Sequence, residues 1–345
     1  MYPHSYPEFE LPGTTHHQDT TTSRIHYDTS ITTTILYDST MRVIVFGASG
    51  VQGRHQVRVL ARVGHSVVAV SRNPQPLTVD EKPVESFAAD FTDTSAIDKV
   101  LQGADRIFLN LPSTSFNQSG PILAAAKAIG EAAKKAHVPL ILFNTSMPVP
   151  KEKQDIKAQD DRREMKRLLR ESGVPVISIE PVVYLDNLLE GWALSPIRDR
   201  NTVVYCHKPD LQVSWICHHD VAQIMAAAMH RPDLAGRDIP VGGPETVRLE
   251  QLAEKLSRAW DRKLAYENQT VPDFCDKIGK TMQGRGLETD KIVSQMFKAY
   301  TYYNEAPDEP FNIDMKPVVE ELKVELTPIE EWAKRRSPWN DKGYF

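Results

Sequence analysis

Short apolar runs alternate with amphipathic stretches through residues 41–182, and polar breaks carrying glycine or proline separate them. Residues 43–46 form an unbroken apolar run, the pattern of a parallel strand buried on both faces. A helical stretch follows with Val59, Leu60 and Val63 on one face, and residues 67–70 make a second apolar run. The rhythm then predicts a third strand over 84–90, a helix around 95–101 and a fourth strand over 107–111. An alanine-rich helix over 122–137 and a fifth strand over 140–143 come next. A charged helix reaching residue 170 is stopped by Ser172-Gly173-Val174-Pro175, and a sixth strand over 176–179 runs into Glu180-Pro181. Alternation of this kind predicts an α/β fold built on a doubly wound parallel sheet.

Beyond Pro181 the rhythm loosens into a smaller, mixed α/β part. Residues 213–217 and 239–241 read as strands. Asp220 reads as the start of a helix, with Gln223 placed as in a capping box. Leu249, Leu252, Leu256 and Trp260 make the apolar stripe of another helix. Thr327-Pro328-Ile329-Glu330 predicts a further one, with threonine as N-cap, proline at N1, glutamate at N3 and Trp332 as its anchor. Tyr300, Tyr302 and Tyr303 suit core packing better than a binding pocket. The expected organisation is a disordered extension over 1–40, a nucleotide-binding domain over 41–182 and a substrate-binding part over 183–345.

The most specific chemistry lies between the first two strands, where Gly47, Gly50 and Gly53 stand at three-residue spacing with Ser49, Val51 and Gln52 among them. The first glycine suits a tight turn, the second a close backbone approach to a diphosphate, and the third close packing of helix on strand. The helix opening at this turn directs its free N–H groups and positive end at whatever the loop cradles. A strand–glycine turn–helix–strand unit of this length predicts a dinucleotide site. The second strand ends in Ser71 and Arg72 rather than an acidic residue. A hydroxyl and a guanidinium suit the 2′-phosphate of NADP(H). Strand ends at this edge of an open sheet border the ligand, which brings in Asp90, Phe91, Asn110, Leu111, Asn144 and Pro181 as cofactor contacts. Asp90 equally suits a helix cap. Ser146 offers a hydroxyl for the substrate or a local hydrogen bond.

Bulk properties narrow the class. The chain has 345 residues, 41% apolar and 25% charged, as in ordinary globular proteins, and its net charge of −5 leaves no footprint for nucleic acid or an anionic membrane. No apolar stretch approaches the roughly 18 residues of a membrane helix. Three cysteines without a CxxC pair suggest a reduced, cytoplasmic setting. Residues 1–40 hold Arg24 as their only lysine or arginine and no apolar core, which argues against a secretory or mitochondrial leader; Met41 would make a natural domain start. His4, His16 and His17, and the run Cys217-His218-His219-Asp220, lack the spacing of a metal site, so none is predicted.

The chain resembles the NmrA-like and isoflavone-reductase-like group of atypical short-chain dehydrogenases/reductases. The matching segments are GASGVQG at 47–53, VSR at 70–72, AADFTD at 88–93, SGVP at 172–175, EPVVYLDNLL at 180–189, HHDVA at 218–222 and VGGPETVRLEQLAEKLS at 241–257. The resemblance implies a Rossmann domain that binds NADP(H) and a smaller C-terminal part that closes over the nicotinamide. It also implies one of two activities: reduction of quinones, phenolics or enones, or redox sensing without turnover. Two departures stand out. The Tyr-x-x-x-Lys pair of ordinary short-chain dehydrogenases is absent, and the lysine of the reductase branch falls at or near Arg162. Lys157 lies about 7.5 Å earlier along the same helix. Glu180 stands where the family commonly has arginine. Ser146, Lys157 and Arg162 are thus the catalytic candidates. The expected function is an NADPH-dependent reductase passing hydride to a small conjugated carbonyl, enone or quinone. The alternative is a non-catalytic NADP(H) sensor that binds a protein partner.

Overall fold

A parallel sheet of seven strands carries the molecule. In the computed structural model, residues 40–115, 117–283 and 289–341 are described. The expectation for residues 1–40 therefore lies, apart from Thr40, outside the described residues. The first part comprises β1 (Arg42–Phe46), α1 (Val51–Arg62), β2 (Ser66–Ser71), β3 (Thr78–Val79), β4 (Lys82–Pro83), β5 (Glu85–Ala88), α2 (Thr94–Val100), β6 (Arg106–Asn110), α3 (Ser119–Lys135), β7 (Ile141–Asn144), α4 (Lys157–Glu171) and β8 (Val176–Pro181). It continues through α5 (Gly191–Arg200), β9 (Thr202–Tyr205), α6 (His218–Ala228), β10 (Asp238–Val241), α7 (Leu249–Ala259) and β11 (Ala265–Asn268). Among the described residues four helices follow: α8 (Val271–Gln283), α9 (Thr289–Glu305), α10 (Lys316–Leu322) and α11 (Ile329–Arg335).

The sheet order is β10-β8-β7-β6-β1-β2-β5, and its direction of winding reverses between β1 and β6. That reversal opens a crevice at the carboxyl ends of the central strands, where open α/β sheets bind ligands. The apolar runs explain themselves in the packing. Val43, Val45, Val67, Ala69, Phe108, Leu142 and Ile177 face one core with α1 and α6, while Ile44, Phe46, Val68, Val70, Leu109, Ile141 and Phe143 face a second with α2, α3 and α4. Alternate residues of each strand feed opposite layers, so every position must be apolar. Tyr300 and Tyr303 join an aromatic cluster, 4.6 Å from Phe274 and 4.5 Å from Phe311 between ring centres. No described helix is long and apolar enough to cross a membrane.

Several local expectations give way to tertiary contacts. A small hairpin, β3–β4, precedes the third sheet strand and shortens it to Glu85–Ala88. Residues 213–217 form no strand: Val213 bridges Val247 and Ile216 bridges Tyr184 in isolation. Asp220 does not start α6, which begins two residues earlier at His218. Its buried carboxylate instead accepts the N–H and hydroxyl of Thr327, each at 2.7 Å, and burial pushes its pKa up to about 6. Thr327 is thereby removed from the capping position of α11, which Pro328 occupies. Asp93, not Asp90, caps α2 by accepting from the Ala96 N–H.

Candidate active site

The glycine turn is shaped by its missing side chains. Gly47 has φ +71°, and a Cβ there would lie 2.8 Å from the Asn110 carbonyl oxygen. A Cβ on Gly53 would stand 2.3 Å from the Gly47 carbonyl oxygen and 2.7 Å from Ala48 Cα, so only glycine lets α1 press against the loop. The Gly50 N–H bonds the Gly47 carbonyl at 3.0 Å, and Arg54 Nε reaches back to the Ser49 carbonyl at 2.8 Å. Gly50 caps α1 without a side-chain hydrogen bond, no acidic residue sits in the first turn, and Val51 is 43% exposed at the rim. A bare cradle at a cationic helix end fits a dinucleotide diphosphate.

From α1 a ladder of side-chain amides crosses to the ends of β6 and β7. Gln52 Oε1 accepts from Asn144 Nδ2 at 2.8 Å and from Ser146 Oγ at 2.9 Å. Asn144 Nδ2 also approaches Asn110 Oδ1 at 3.3 Å, and Asn144 Oδ1 takes the Ser146 N–H at 2.9 Å. Asn110 and Gln56 exchange hydrogen bonds at 2.7 and 3.0 Å, and Asn110 Nδ2 donates to the Phe46 carbonyl at 2.9 Å. The ladder holds Ser146 at φ +65°, an uncommon conformation for serine. Gln56 is absent from the sequence reading. Its four-residue spacing from Gln52 places both amides on one face of α1, which is the signal that would have revealed it.

Helix α4 supplies the opposite wall. Arg162 is 1% exposed, and its Nη2 donates to the Leu111 carbonyl at 2.9 Å and the Pro112 carbonyl at 3.3 Å. Among the described residues it has no ion-pair partner, and burial lowers its pKa to about 10. It therefore keeps its charge at neutral pH. Lys157, the first residue of α4, is directed elsewhere: its Nζ donates to the Thr114 and Asn117 carbonyls at 2.6 and 3.1 Å and lies 3.5 Å from Asp161. Glu180, unexplained in the sequence, pairs with buried Lys166 at 2.6 Å. Tyr184 sits in the buried turn that leaves β8 after Pro181, with its ring 4.0 Å from that of His218.

At the other side of the crevice, Ser71 ends β2 opposite Ala88, the last residue of β5, and Arg72 follows it just past the strand. Thr92 hydrogen bonds and the Arg72 charge hold the Asp90 carboxyl below its usual range. The Phe91 ring lies 6.3 Å from Phe46. Pro181 ends β8, paired with Val241. The structure thus joins Gln52, Asn110, Asn144 and Ser146 directly, sets Leu111 against Arg162, and leaves Lys157 apart. Among the described residues no His/Cys/Asp/Glu group is arranged to hold a metal ion. A separate cleft of about 760 Å³, lined by Gly243, Thr246, Asn312, Met315 and Val324, shares no residue with this site.

Comparison with known proteins gives this geometry a family. A reductase of (4-alkanoyl-5-oxo-2,5-dihydrofuran-3-yl)methyl phosphate from Streptomyces griseus is 30% identical over 66% of this chain and 77% of its own. NmrA, a negative transcriptional regulator solved with NAD, superposes with a TM-score of 0.67 at 19% identity, covering 88% of this chain and 97% of that one. The NADPH-dependent quinone oxidoreductase QOR2 of Escherichia coli, solved with NADPH, gives 0.64 at 19% identity over 85% and 98%. The NmrA-like family model matches residues 39–333, and the chain belongs to the NmrA-like family.

Proposed function

We propose that the protein is an NADPH-dependent reductase acting on a small conjugated carbonyl, enone or quinone. The observation that carries this reading is Arg162: a permanent charge, buried beside the end of β6 without an ion-pair partner among the described residues. Burying a lone cation is costly unless the site uses it, and a developing oxyanion is the complementary group.

In this reading Gly47, Ser49, Gly50, Val51, Gln52 and Gly53 hold the diphosphate. Ser71 and Arg72 hold the 2′-phosphate, with Asp90 and Phe91 beside the adenosine. Asn110, Leu111, Asn144 and Pro181 border the nicotinamide half, which when bound supplies the hydride. The amide ladder keeps Ser146 and Asn144 fixed, so that orientation is settled before substrate arrives. Arg162 balances charge on the acceptor; it does not give up its own proton. Residues 41–182 serve the cofactor and residues 183–345 the substrate. The reductase named from Streptomyces griseus and the quinone oxidoreductase of Escherichia coli support this direction.

A second reading, an NADP(H) sensor with a protein partner, draws on the regulator NmrA and on Lys157, whose ammonium is bound to backbone carbonyls away from Arg162. NADPH consumption across a panel of quinones and enones separates the two. Turnover of at least one acceptor is the expected result, and saturable NADPH binding without turnover on any would favour the sensor. The cofactor choice is tested by binding NADPH and NADH to the parent and to Arg72→Ala. The variant is expected to lose about tenfold or more for NADPH and little for NADH; equal affinities in the parent would overturn the 2′-phosphate assignment.

A further inference from the structure

The turn leaving β8 brings a phenol within electrostatic reach of the buried guanidinium. Backbone bonds fix it there: the Leu185 N–H donates to the Ile216 carbonyl at 2.8 Å, and the Ile216 N–H to the Val183 carbonyl at 3.2 Å. The Tyr184 ring is buried against His218. Its hydroxyl approaches the Asn144 amide, which favours the ionised form against burial, lies within electrostatic reach of Arg162, and meets no partner in full hydrogen-bond geometry. Arg162 Nε is also buried without a hydrogen-bond partner. Gln159, one turn earlier on α4, faces the Tyr303 hydroxyl and has neither amide atom in full hydrogen-bond geometry. Buried polar atoms are paired almost everywhere in proteins, so the Tyr184 hydroxyl and Arg162 Nε, both buried short of a full hydrogen bond, point to a ligand atom that completes them.

We propose that Tyr184 is the catalytic proton donor to the acceptor oxygen, with Arg162 stabilising the charge that the transfer leaves behind. The inference rests on the reductase reading and names the acid that α4 lacks. The electron pair of the hydride from NADPH forms the new C–H bond on the acceptor, at the carbonyl carbon or the β-carbon of an enone. The displaced π pair moves onto the oxygen. The Tyr184 O–H bond breaks, its proton joins that oxygen as alcohol or enol, and tyrosinate remains near Arg162. NADP⁺ and the two-electron-reduced acceptor leave, and Tyr184 regains a proton from water. Burial keeps the hydroxyl protonated beforehand, and the Asn144 amide and the Arg162 charge offset part of that penalty when tyrosinate forms.

Tyr184→Phe removes one buried oxygen that lacks a full hydrogen bond, and no packing surface, so it should fold with an unchanged or higher Tm. Turnover of an enone is expected to fall about 10²–10³-fold in kcat, with NADPH affinity within about twofold of the parent. A second readout needs no turnover: p-nitrophenol binding to the NADP⁺-loaded protein, followed by absorbance. The parent should bind it as phenolate, and Tyr184→Phe should bind it about tenfold or more weakly. Equal phenolate binding, equal enone kcat, or a lowered Tm in the variant would each overturn the proposal. A parent that turns over no acceptor, with phenolate binding lost in the variant, would overturn the reductase reading and the proton transfer together while the oxygen contact stands.

Discussion

Replacing Lys166 by methionine should unfold this protein more readily than any conservative change near it. The Lys166 ammonium lies 2.6 Å from Glu180 and 3.1 Å from Asp238, and the Lys166 and Glu180 side chains are only 8% and 6% exposed. Glu180 has one other partner, the Val149 N–H at 3.3 Å, whereas Asp238 keeps Arg170 at 2.6 Å. Lys166→Met therefore strands one buried carboxylate, which costs about 3–5 kcal/mol. Replacing both members, as in Lys166→Met with Glu180→Leu, removes the charge with its partner and should recover most of that loss. The effect carries a pH signature. Burial already holds the Glu180 carboxyl above its ordinary 4.5, with Lys166 opposing the rise, so losing Lys166 lifts it further. A native state that binds the proton more tightly than the unfolded chain loses stability as pH rises. In Lys166→Met the deficit should thus shrink toward pH 4.5 and grow above it, by at most about 1.4 kcal/mol per pH unit. Urea melts of the parent, the single variant and the double variant at pH 5 and 7.5 test this. A single-variant loss under about 1 kcal/mol, or a double variant no more stable than the single, would refute the reasoning.

Two further tests address acid stability and the cradle. His207 is buried among Tyr205, Trp215 and Phe311 with neither ring nitrogen hydrogen-bonded, and burial lowers its pKa to about 3 from 6.5. The unfolded chain takes up a proton that the native state refuses between those values, so this stability is complete above pH 6.5 and lost toward pH 3. His207→Phe should flatten the acid side of the stability profile by up to about 1.4 kcal/mol per pH unit, and parallel profiles for parent and variant would sink the idea. Gly53→Ala sets a methyl against three backbone atoms and should cost roughly 1–3 kcal/mol in urea melts, with weaker NADPH binding by calorimetry. Gly50→Ala, whose Cβ would meet only the Gly47 carbonyl at 3.3 Å, should stay nearly as stable as the parent yet lose dinucleotide affinity; unchanged affinity would argue against the cradle.

The parallel sheet and the glycine turn are legible in the sequence alone, because each is written in neighbouring residues. A strand buried on both faces tolerates no polar position, so residues 43–46, 67–70 and 140–143 announce it. A turn with positive φ and a helix pressed on its own loop leaves no space for Cβ, so Gly47 and Gly53 announce that. Which polar groups are buried, and what they meet, emerged only from the folded chain. Gln52 finds Asn144 and Ser146 across more than ninety positions. Lys166 meets Glu180, and Arg162 lies on carbonyls after β6. Asp220 takes Thr327 from its expected cap, and 213–217 is strand-like in composition yet has only isolated bridges. Periodicity encodes which face of an element is apolar. A hydrogen bond or buried charge depends on the few ångströms between atoms that distant segments bring together, and no spacing along the chain records that distance.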